Sequence, residues 1–264
     1  MHSRRLVPCL AALLFTAACV ADPLPTTDEL LARIGKAAAE LKTYSYDRKG
    51  AVTRHGRTRP RSGSTVGMIT REEGKTICRS YTAGKVILIA RWQERDEWRE
   101  FDAEEKRVND GTHRWRQLRV PALDRTMVVK TRADAPDKYQ RPACASPLDW
   151  TEAAAKSYVL RVTGEDVVNG ERVYVLEGKF NDDYLREHSK AEAVKRLWPT
   201  IKIWISQSDL FPRRYTTFGP DGQESTEFTN VKLNGPVDET LFTYTPPEGA
   251  VVNDRTGEDT PQED

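Results

Sequence analysis

The chain has 264 residues, a hydrophobic fraction of 38%, and nearly balanced charge, with 41 lysines and arginines against 40 aspartates and glutamates. This length suits one large domain or two small ones. The balanced charge argues against nucleic acid as a partner.

The first 21 residues are typical of an export signal. Arg4 and Arg5 form a short positive region, and the apolar run LVPCLAALLFTAAC follows them, ending at Cys19. The run has the length of a signal peptide and is too short for a stable membrane span. No later segment approaches the roughly 18 apolar residues that a membrane helix needs. We therefore predict that the protein is exported.

The end of this signal allows two kinds of processing. FTAAC fits a permissive bacterial lipobox ending at Cys19, although Thr16 stands where leucine is favoured. The alternative is cleavage after Ala21 by signal peptidase I. We favour lipidation of Cys19, and that anchor would be the protein's one contact with a membrane.

Cys78 and Cys144 are the two cysteines certain to remain after export. In an oxidising compartment they can form a disulfide, and closing a loop of that length contributes roughly 4 kcal/mol. The alternative is two buried free thiols. Neither cysteine belongs to a CxxC pair, which argues against zinc and against thioredoxin-type chemistry.

The first half of the exported chain begins with a helix and continues with strands. TTDELLARIGKAAAEL has apolar residues on one helical face, and Thr27 or Asp28 can cap it. The period then changes to two, which predicts short strands at YSYDRKGAVTR, STVGMITRE, KTICRSYTAG and KVILIARWQ. EWREFDAEEKRV resembles a hairpin that turns at residues 102–105. Residues 110–147 contain prolines and turn residues, and we expect short helices or irregular cover there.

The second half shows clearer turns. TEAAAKS predicts a helical turn, Asn169 and Gly170 predict a tight hairpin turn, and residues 181–198 have a helical composition. Turns at 208–209 and 220–222 separate three further strands. ETLFTYTPP is predicted as the last strand, because Pro246 and Pro247 cannot donate to a sheet.

These elements predict one mainly β domain with helices (α+β) over residues 22–252. The acidic segment 253–264 is expected to be disordered.

The sequence carries no recognisable catalytic or metal motif. The four histidines are isolated from one another, and neither a phosphate-binding GxxxxGK[ST] nor a GxSxG is present. We therefore predict a protein without catalysis, cofactor or metal.

Two compositional features allow two interpretations each. Seven lysines and arginines and no acid lie from Arg48 to Arg71, which favours a solvated face and a hairpin tip. The alternative is a rim that attracts anionic headgroups. The aromatic residues on the strands favour a sheet core, and the alternative is the lining of an apolar cavity.

The C-terminal quarter resembles the end of the LolA-like family of periplasmic lipoprotein carriers. The shared motifs are a strand at 203–205, a turn at 210–212, a DG hairpin at 221–222, and the segments 228–234 and 241–252. The opening helix followed by LKTYSYD is similar to the family's first helix and strand.

This resemblance implies an unclosed, strongly curved antiparallel β-barrel with an N-terminal helix and a helical lid over an apolar cavity. In the family, an arginine on an early strand hydrogen-bonds to the lid, and the corresponding residue here is Arg79. We expect the lid to come from residues 110–147 or 181–198. The residues expected on the cavity side or in the packing beneath it are Ile203, Ile205, Phe228, Leu241 and Phe242.

The function that the resemblance implies is non-catalytic binding of lipid or lipoprotein acyl chains by a monomer of the bacterial periplasm. Envelope transport or acceptor proteins are its expected partners. The first alternative is an envelope-sensing or protein-interaction module with the same fold and no lipid cargo. An enzyme on this fold is the second, and the lack of a convergent acid–base set argues against it.

Overall fold

The structure is a computed structural model that describes residues 23–72, 75–92, 97–134, 146–187 and 192–257. The predicted signal segment, with Cys19, and Cys144 lie outside the described residues.

Strands dominate the described residues. Four α-helices are present: α1 (Thr27–Glu40), α2 (Pro147–Ser157), α3 (Asp182–Glu187) and α4 (Glu192–Leu197). Short 3-10 helices span Pro121–Leu123 and Glu239–Phe242. The strands are β1 (Thr43–Arg54), β2 (Arg57–Glu72), β3 (Lys75–Trp92), β4 (Glu97–Asn109), β5 (His113–Val120), β6 (Arg125–Arg132), β7 (Tyr158–Val168), β8 (Glu171–Phe180), β9 (Thr200–Ser206), β10 (Pro212–Gly219), β11 (Gly222–Leu233) and β12 (Val251–Asp254).

All of these strands belong to one 12-stranded sheet with the order β12-β6-β5-β4-β3-β2-β1-β11-β10-β9-β8-β7. Neighbouring strands in the sheet are antiparallel, except that β12 pairs parallel with β6. Because β12 and β7 are both edges, the sheet is unclosed. The mainly β architecture and the unclosed sheet confirm the coarse fold prediction.

Paired glycines allow β2 and β3 to approach closely near the middle of the sheet. Gly63 of β2 lies opposite Gly84 of β3. A Cβ atom added at Gly63 would lie 2.4 Å from the carbonyl oxygen of Ala83, and one added at Gly84 would lie 2.2 Å from that of Ser62. Larger residues would force these backbones apart, so the glycine pair permits a close approach of the two strands.

Helix α1 begins at a capping box. The Thr26 hydroxyl accepts from the Glu29 N–H, and the Glu29 carboxylate accepts from the Thr26 N–H. The cap therefore lies one residue before the position that we predicted. Leu30, Ile34 and Ala38 form its buried face, as the helical period predicted.

The main core lies between this helix face and one face of the sheet, called here the core face. Residues from α1, α2 and strands on both sides of β1 contribute to it, and they include Leu30, Ile34, Tyr44, Leu148, Leu176, Ile203, Ile205, Phe211 and Phe228. Trp204 packs in a separate cluster with Val168, Val173 and Val175. Neighbouring residues of β9 thus point to opposite faces, as the two-residue period predicted.

Two predicted breaks in the N-terminal strands are wrong. Strand β3 runs without interruption from Lys75 to Trp92, through KTICRSYTAG and KVILIARW. Residues 102–105, predicted as a hairpin turn, lie inside β4, where Asp102 pairs with Ile87 and Glu105 pairs with both Gly84 and Leu118. Ladder hydrogen bonds to neighbouring strands outweigh the local turn preference of these acidic residues.

The prediction for residues 110–147 is also wrong over residues 113–120 and 125–132, which are strands. Strands β5 and β6 form a hairpin, and the 3-10 helix Pro121–Leu123 connects them. Pro121 lies in this connection, where its missing N–H breaks no ladder hydrogen bond. Residues 135–145 lie outside the described residues.

The chain end differs from the prediction in a third way. ETLF forms a 3-10 helix, and its N-cap Asp238 accepts from the Thr240 N–H. The last strand, β12, comes after the two prolines and pairs with β6. It continues to Asp254, beyond residue 252 where we predicted the domain to end. Residues 239–254 are called the C-terminal strap below.

No helix among the described residues is both long and apolar enough to cross a membrane.

Candidate functional site

Helices α1 and α2 together cover the core face, and we call this pair the helical cover. The two helices pack against each other, and the carboxylate of Glu152 on α2 lies close to Gly35 of α1. Trp150 of α2 lies with its ring 4.3 Å from the ring of Tyr215 on β10, measured between centroids. The two helices of the cover therefore contact each other, and α2 also contacts the sheet.

Helix α1 bridges the concave side of the sheet. At its first residue, the Thr27 hydroxyl accepts a 3.0 Å hydrogen bond from the Val162 N–H of β7. At its other end it contacts Arg71 of β2. A helix of this length extends about 21 Å, whereas seven strands from β7 to β2 laid flat would span about 28 Å. Curvature of the sheet brings both contacts within reach of one helix.

Arg71 holds the C-terminal end of α1 to the sheet. Its Nη1 donates to the Leu41 carbonyl and its Nη2 to the Ala38 carbonyl, both at 2.7 Å. The last turn of α1 contains no basic residue, so Arg71 of β2 supplies the positive charge that a helix C-terminus favours. We call this contact the Arg71 clamp.

An aromatic cluster fills the space beneath the cover. The Tyr46 ring lies 5.1 Å from Phe228 and 5.8 Å from Phe211, and Tyr215 lies 5.8 Å from Phe228. Burial raises the pKa of both Tyr46 and Tyr215, and that of Tyr44 as well. This interior is apolar, packed and closed in the present conformation.

A cleft of about 820 Å³ opens beside the Arg71 clamp. The end of α1, the start of β1, the last part of β2 and Asn234 line it: Ala39, Glu40, Lys42, Thr43, Met68, Ile69, Thr70, Arg71 and Asn234.

The predicted cavity residues divide into two groups. Ile203, Ile205 and Phe228 are almost fully buried in the core beneath the helical cover. Phe242 is buried, and Leu241 half-buried, in the C-terminal strap, whose 3-10 helix packs against β3 and β4. The structure does not bring these two groups together.

The strap lies on the face opposite the cover. Cys78 belongs to the core, so the next residue, Arg79, points to the other face. There Arg79 Nη1 lies 3.3 Å from Glu239 Oε2 of the strap. On the same face, the Tyr244 hydroxyl donates to Gln117 Oε1 at 2.8 Å.

The geometry that we predicted for Arg79 is therefore found at Arg71. Arg79 pairs with the strap, whereas Arg71 donates to the helix that lies over the core. Both are arginines on early strands, and the resemblance alone did not distinguish them.

The cover also differs from the predicted lid. Its α2 begins at Pro147 and α1 supplies the other half, while Tyr184 of α3 also packs against the main core. The start of α2 could have been predicted from the sequence. Ser146 and Asp149 form a capping box around Pro147 at the first helical position.

Cys78 is disulfide-bonded. The other cysteines, Cys144 among them, lie outside the described residues, so the pairing of Cys78 with Cys144 stays a prediction. Within the described ranges, no group of three metal-ligating side chains is present.

The fold and the covered apolar face define a class: an unclosed, curved β-sheet whose concave side is closed by helices. Neither a scan of known protein families nor a search of curated proteins finds a match to the chain.

Solved structures similar to this chain include an uncharacterized conserved protein from Thermus thermophilus, at 12% identity and a TM-score of 0.46, covering 86% of this chain and 98% of that one. LprF from Mycobacterium bovis is similar at 11% identity and a TM-score of 0.45, covering 79% and 93%. Mycobacterium tuberculosis lipoprotein LppX is similar at 16% identity and a TM-score of 0.39, covering 80% and 98%. LprF and LppX have LolA-like folds.

Proposed function

We propose that this protein binds the acyl chains of a lipid or lipoprotein without catalysis, as a carrier-like protein of the bacterial cell envelope. The chains would enter between the helical cover and the core face. The observation that carries this proposal is the Arg71 clamp, because two hydrogen bonds from one side chain hold the end of α1 over an aromatic interior.

The free energy that the Arg71 clamp contributes to closing the cover is comparable to the free energy of burying part of an acyl chain. A hydrogen bond involving a charged group contributes about 1.5–3 kcal/mol, and burying an acyl CH2 contributes about 0.8 kcal/mol. A few buried methylenes therefore offset the loss of the clamp. Burial of a longer acyl chain would also compensate for the contacts that are lost when the helical cover opens.

A second candidate is a protein-interaction module without lipid cargo. It is favoured by the packed interior and by the exposed edge strand β12, where Val251 is 72% and Val252 43% exposed. An extended peptide can add to such an edge. This module would bind its partner with the cover closed.

Lipid extraction and probe binding distinguish the two candidates. We expect the protein isolated from the periplasm to carry extractable acyl lipid. After delipidation it should bind a fluorescent fatty acid saturably, with the probe shifting to an apolar emission spectrum. If no lipid is extracted and the probe shows no saturable binding while the protein remains folded, the carrier proposal is wrong.

Anchoring at Cys19 is a further part of the proposal. Cys19→Ala should move the protein from the membrane to the soluble fraction, because the acylated residue is lost. Cys9→Ala, in the same apolar run, is the matched control and should leave fractionation unchanged. A wild-type protein that is soluble and begins at Asp22 would contradict the anchor.

A further inference from the structure

A row of paired residues crosses the core face beside the aromatic cluster. Arg48 of β1 pairs with Gly63 of β2, which pairs with Gly84 of β3, which pairs with Glu105 of β4. Directly paired residues project from the same face of a sheet. The two glycines therefore leave a floor without side chains between an arginine and a carboxylate.

The neighbouring row adds hydroxyls and two more arginines. Tyr46, Thr65, Thr82, Arg107 and Arg116 pair in this order across β1 to β5. The hydroxyls of Thr65 and Thr82 lie 3.1 Å apart. We call the surface formed by these two rows the polar trough.

The far wall of the trough consists of two guanidinium groups that donate to the same buried carboxylate. Arg107 Nη2 and Arg116 Nε each lie 2.8 Å from Glu105 Oε1. Burial by itself would raise the pKa of the Glu105 carboxyl, but the two arginines outweigh it and hold the pKa below its ordinary value. The side chains of Arg107 and Arg116 remain 53% and 52% exposed. One buried negative charge thus positions two accessible positive charges.

The near wall is Arg48, at the border of the aromatic cluster. It pairs with Phe228, and its charge opposes the rise in pKa that burial causes at Tyr46 and Tyr215. Its Nε is buried and has no hydrogen-bond partner among the described residues. An acceptor from a ligand would satisfy this donor.

Three other arginines between Arg48 and Arg71 have acceptors within the protein. Arg59 Nη2 lies 2.8 Å from Glu100, Arg61 Nη1 lies 3.1 Å from Glu224, and Arg71 forms the clamp. The solvated-face interpretation therefore does not account for Arg48, whose Nε is buried.

We propose that the polar trough binds the phosphate of an anionic diacyl lipid whose acyl chains lie beneath the helical cover. This inference rests on the proposed function, and it names the headgroup chemistry of the ligand. Arginine forks match phosphate oxygens, and a glycine floor lets the group approach the backbone. Because Tyr46 and Phe228 belong to the cluster and also adjoin the trough, one amphiphile can occupy both.

The test compares two fluorescent lipids with identical chains, phosphatidic acid and diacylglycerol, on the delipidated full exported protein. Wild type should bind phosphatidic acid about tenfold tighter or more at low salt, and the preference should shrink as salt screens the exposed guanidiniums. Arg48→Met and Arg116→Gln should each remove most of this preference while leaving diacylglycerol affinity unchanged.

One further variant serves as a control. Arg119→Gln lies on the opposite face of β5, where the arginine is 3.6 Å from Glu104, and should behave as wild type. Circular dichroism and thermal melting verify that each variant is folded.

The outcomes are separable from those of the proposed function. If both lipids bind equally well, or if Arg48→Met and Arg116→Gln keep the full preference, the headgroup inference is wrong and acyl binding stands. If neither lipid binds, the proposed function itself fails. If millimolar inorganic phosphate displaces phosphatidic acid completely and leaves diacylglycerol bound, the trough is a free-anion site and the commitment to a lipid is wrong.

Discussion

Replacing Arg71 by leucine should lower the apparent Kd for a fluorescent fatty acid about tenfold or more. The variant loses two charge-assisted hydrogen bonds to the Ala38 and Leu41 carbonyls, each contributing about 1.5–3 kcal/mol. Removing them lowers the cost of lifting the end of α1, so a larger fraction of molecules is open and competent to bind. Equilibrium titration of the delipidated protein measures the effect.

The same variant should be less stable in the absence of ligand, because the closed form loses the clamp. Its thermal midpoint should recover when a saturating fatty acid is added, since a ligand stabilises the state that it binds. The combination of tighter binding with lower stability is specific to a clamp, and a merely misfolded variant would bind less.

Arg79→Leu is the matched control for this experiment. Arg79 also lies on an early strand, but its ion pair with Glu239 is on the opposite face and largely exposed, so it contributes at most about 1 kcal/mol. We expect its fatty-acid affinity to remain that of wild type. If Arg79→Leu changes the affinity and Arg71→Leu does not, the clamp is assigned to the wrong arginine.

Replacing Phe228 by alanine should lower the free energy of unfolding by about 3–5 kcal/mol. The side chain is 5% exposed and contacts Tyr46, Phe211 and Tyr215. Its removal therefore leaves a cavity in a packed cluster. Urea unfolding followed by intrinsic fluorescence and circular dichroism measures the change.

Phe218→Ala provides the comparison, because Phe218 lies on the neighbouring β10 and is 38% exposed. Phe218→Ala should lower the free energy of unfolding by well under half as much as Phe228→Ala does. Should Phe228→Ala prove nearly neutral, Phe228 would line an open cavity in solution, and the closed interior described above would be incorrect.

Local patterns in the sequence determined much of the framework. The helical period and cap signals located α1, Asn169 and Gly170 located the turn between β7 and β8, and alternation placed Ile203 and Ile205 together with Trp204 opposite. These features depend on a few consecutive residues, so short-range geometry is sufficient to predict them.

Strands β5 and β6 were missed for a different reason. HRWRQLRV has charged residues on both of its faces, so it lacks the apolar alternation that indicates a strand. Its β structure depends on hydrogen bonds to β4 and β6, which are distant contacts. The residues of the guanidinium pair, Arg107 and Arg116, are brought together by the same pairing.

The choice between Arg71 and Arg79 depended on the register of β2 against β3. In the structure Arg71 pairs with Thr76, and Arg79 pairs with Met68. Arg71 therefore shares the core face with Cys78, two residues beyond Thr76, and Arg79 does not. A shift of one residue would exchange the faces, and the sequence of neither strand specifies that register. Tertiary pairing alone decided which arginine reaches the cover, and it likewise directed Leu241 and Phe242 into a strap on the opposite side.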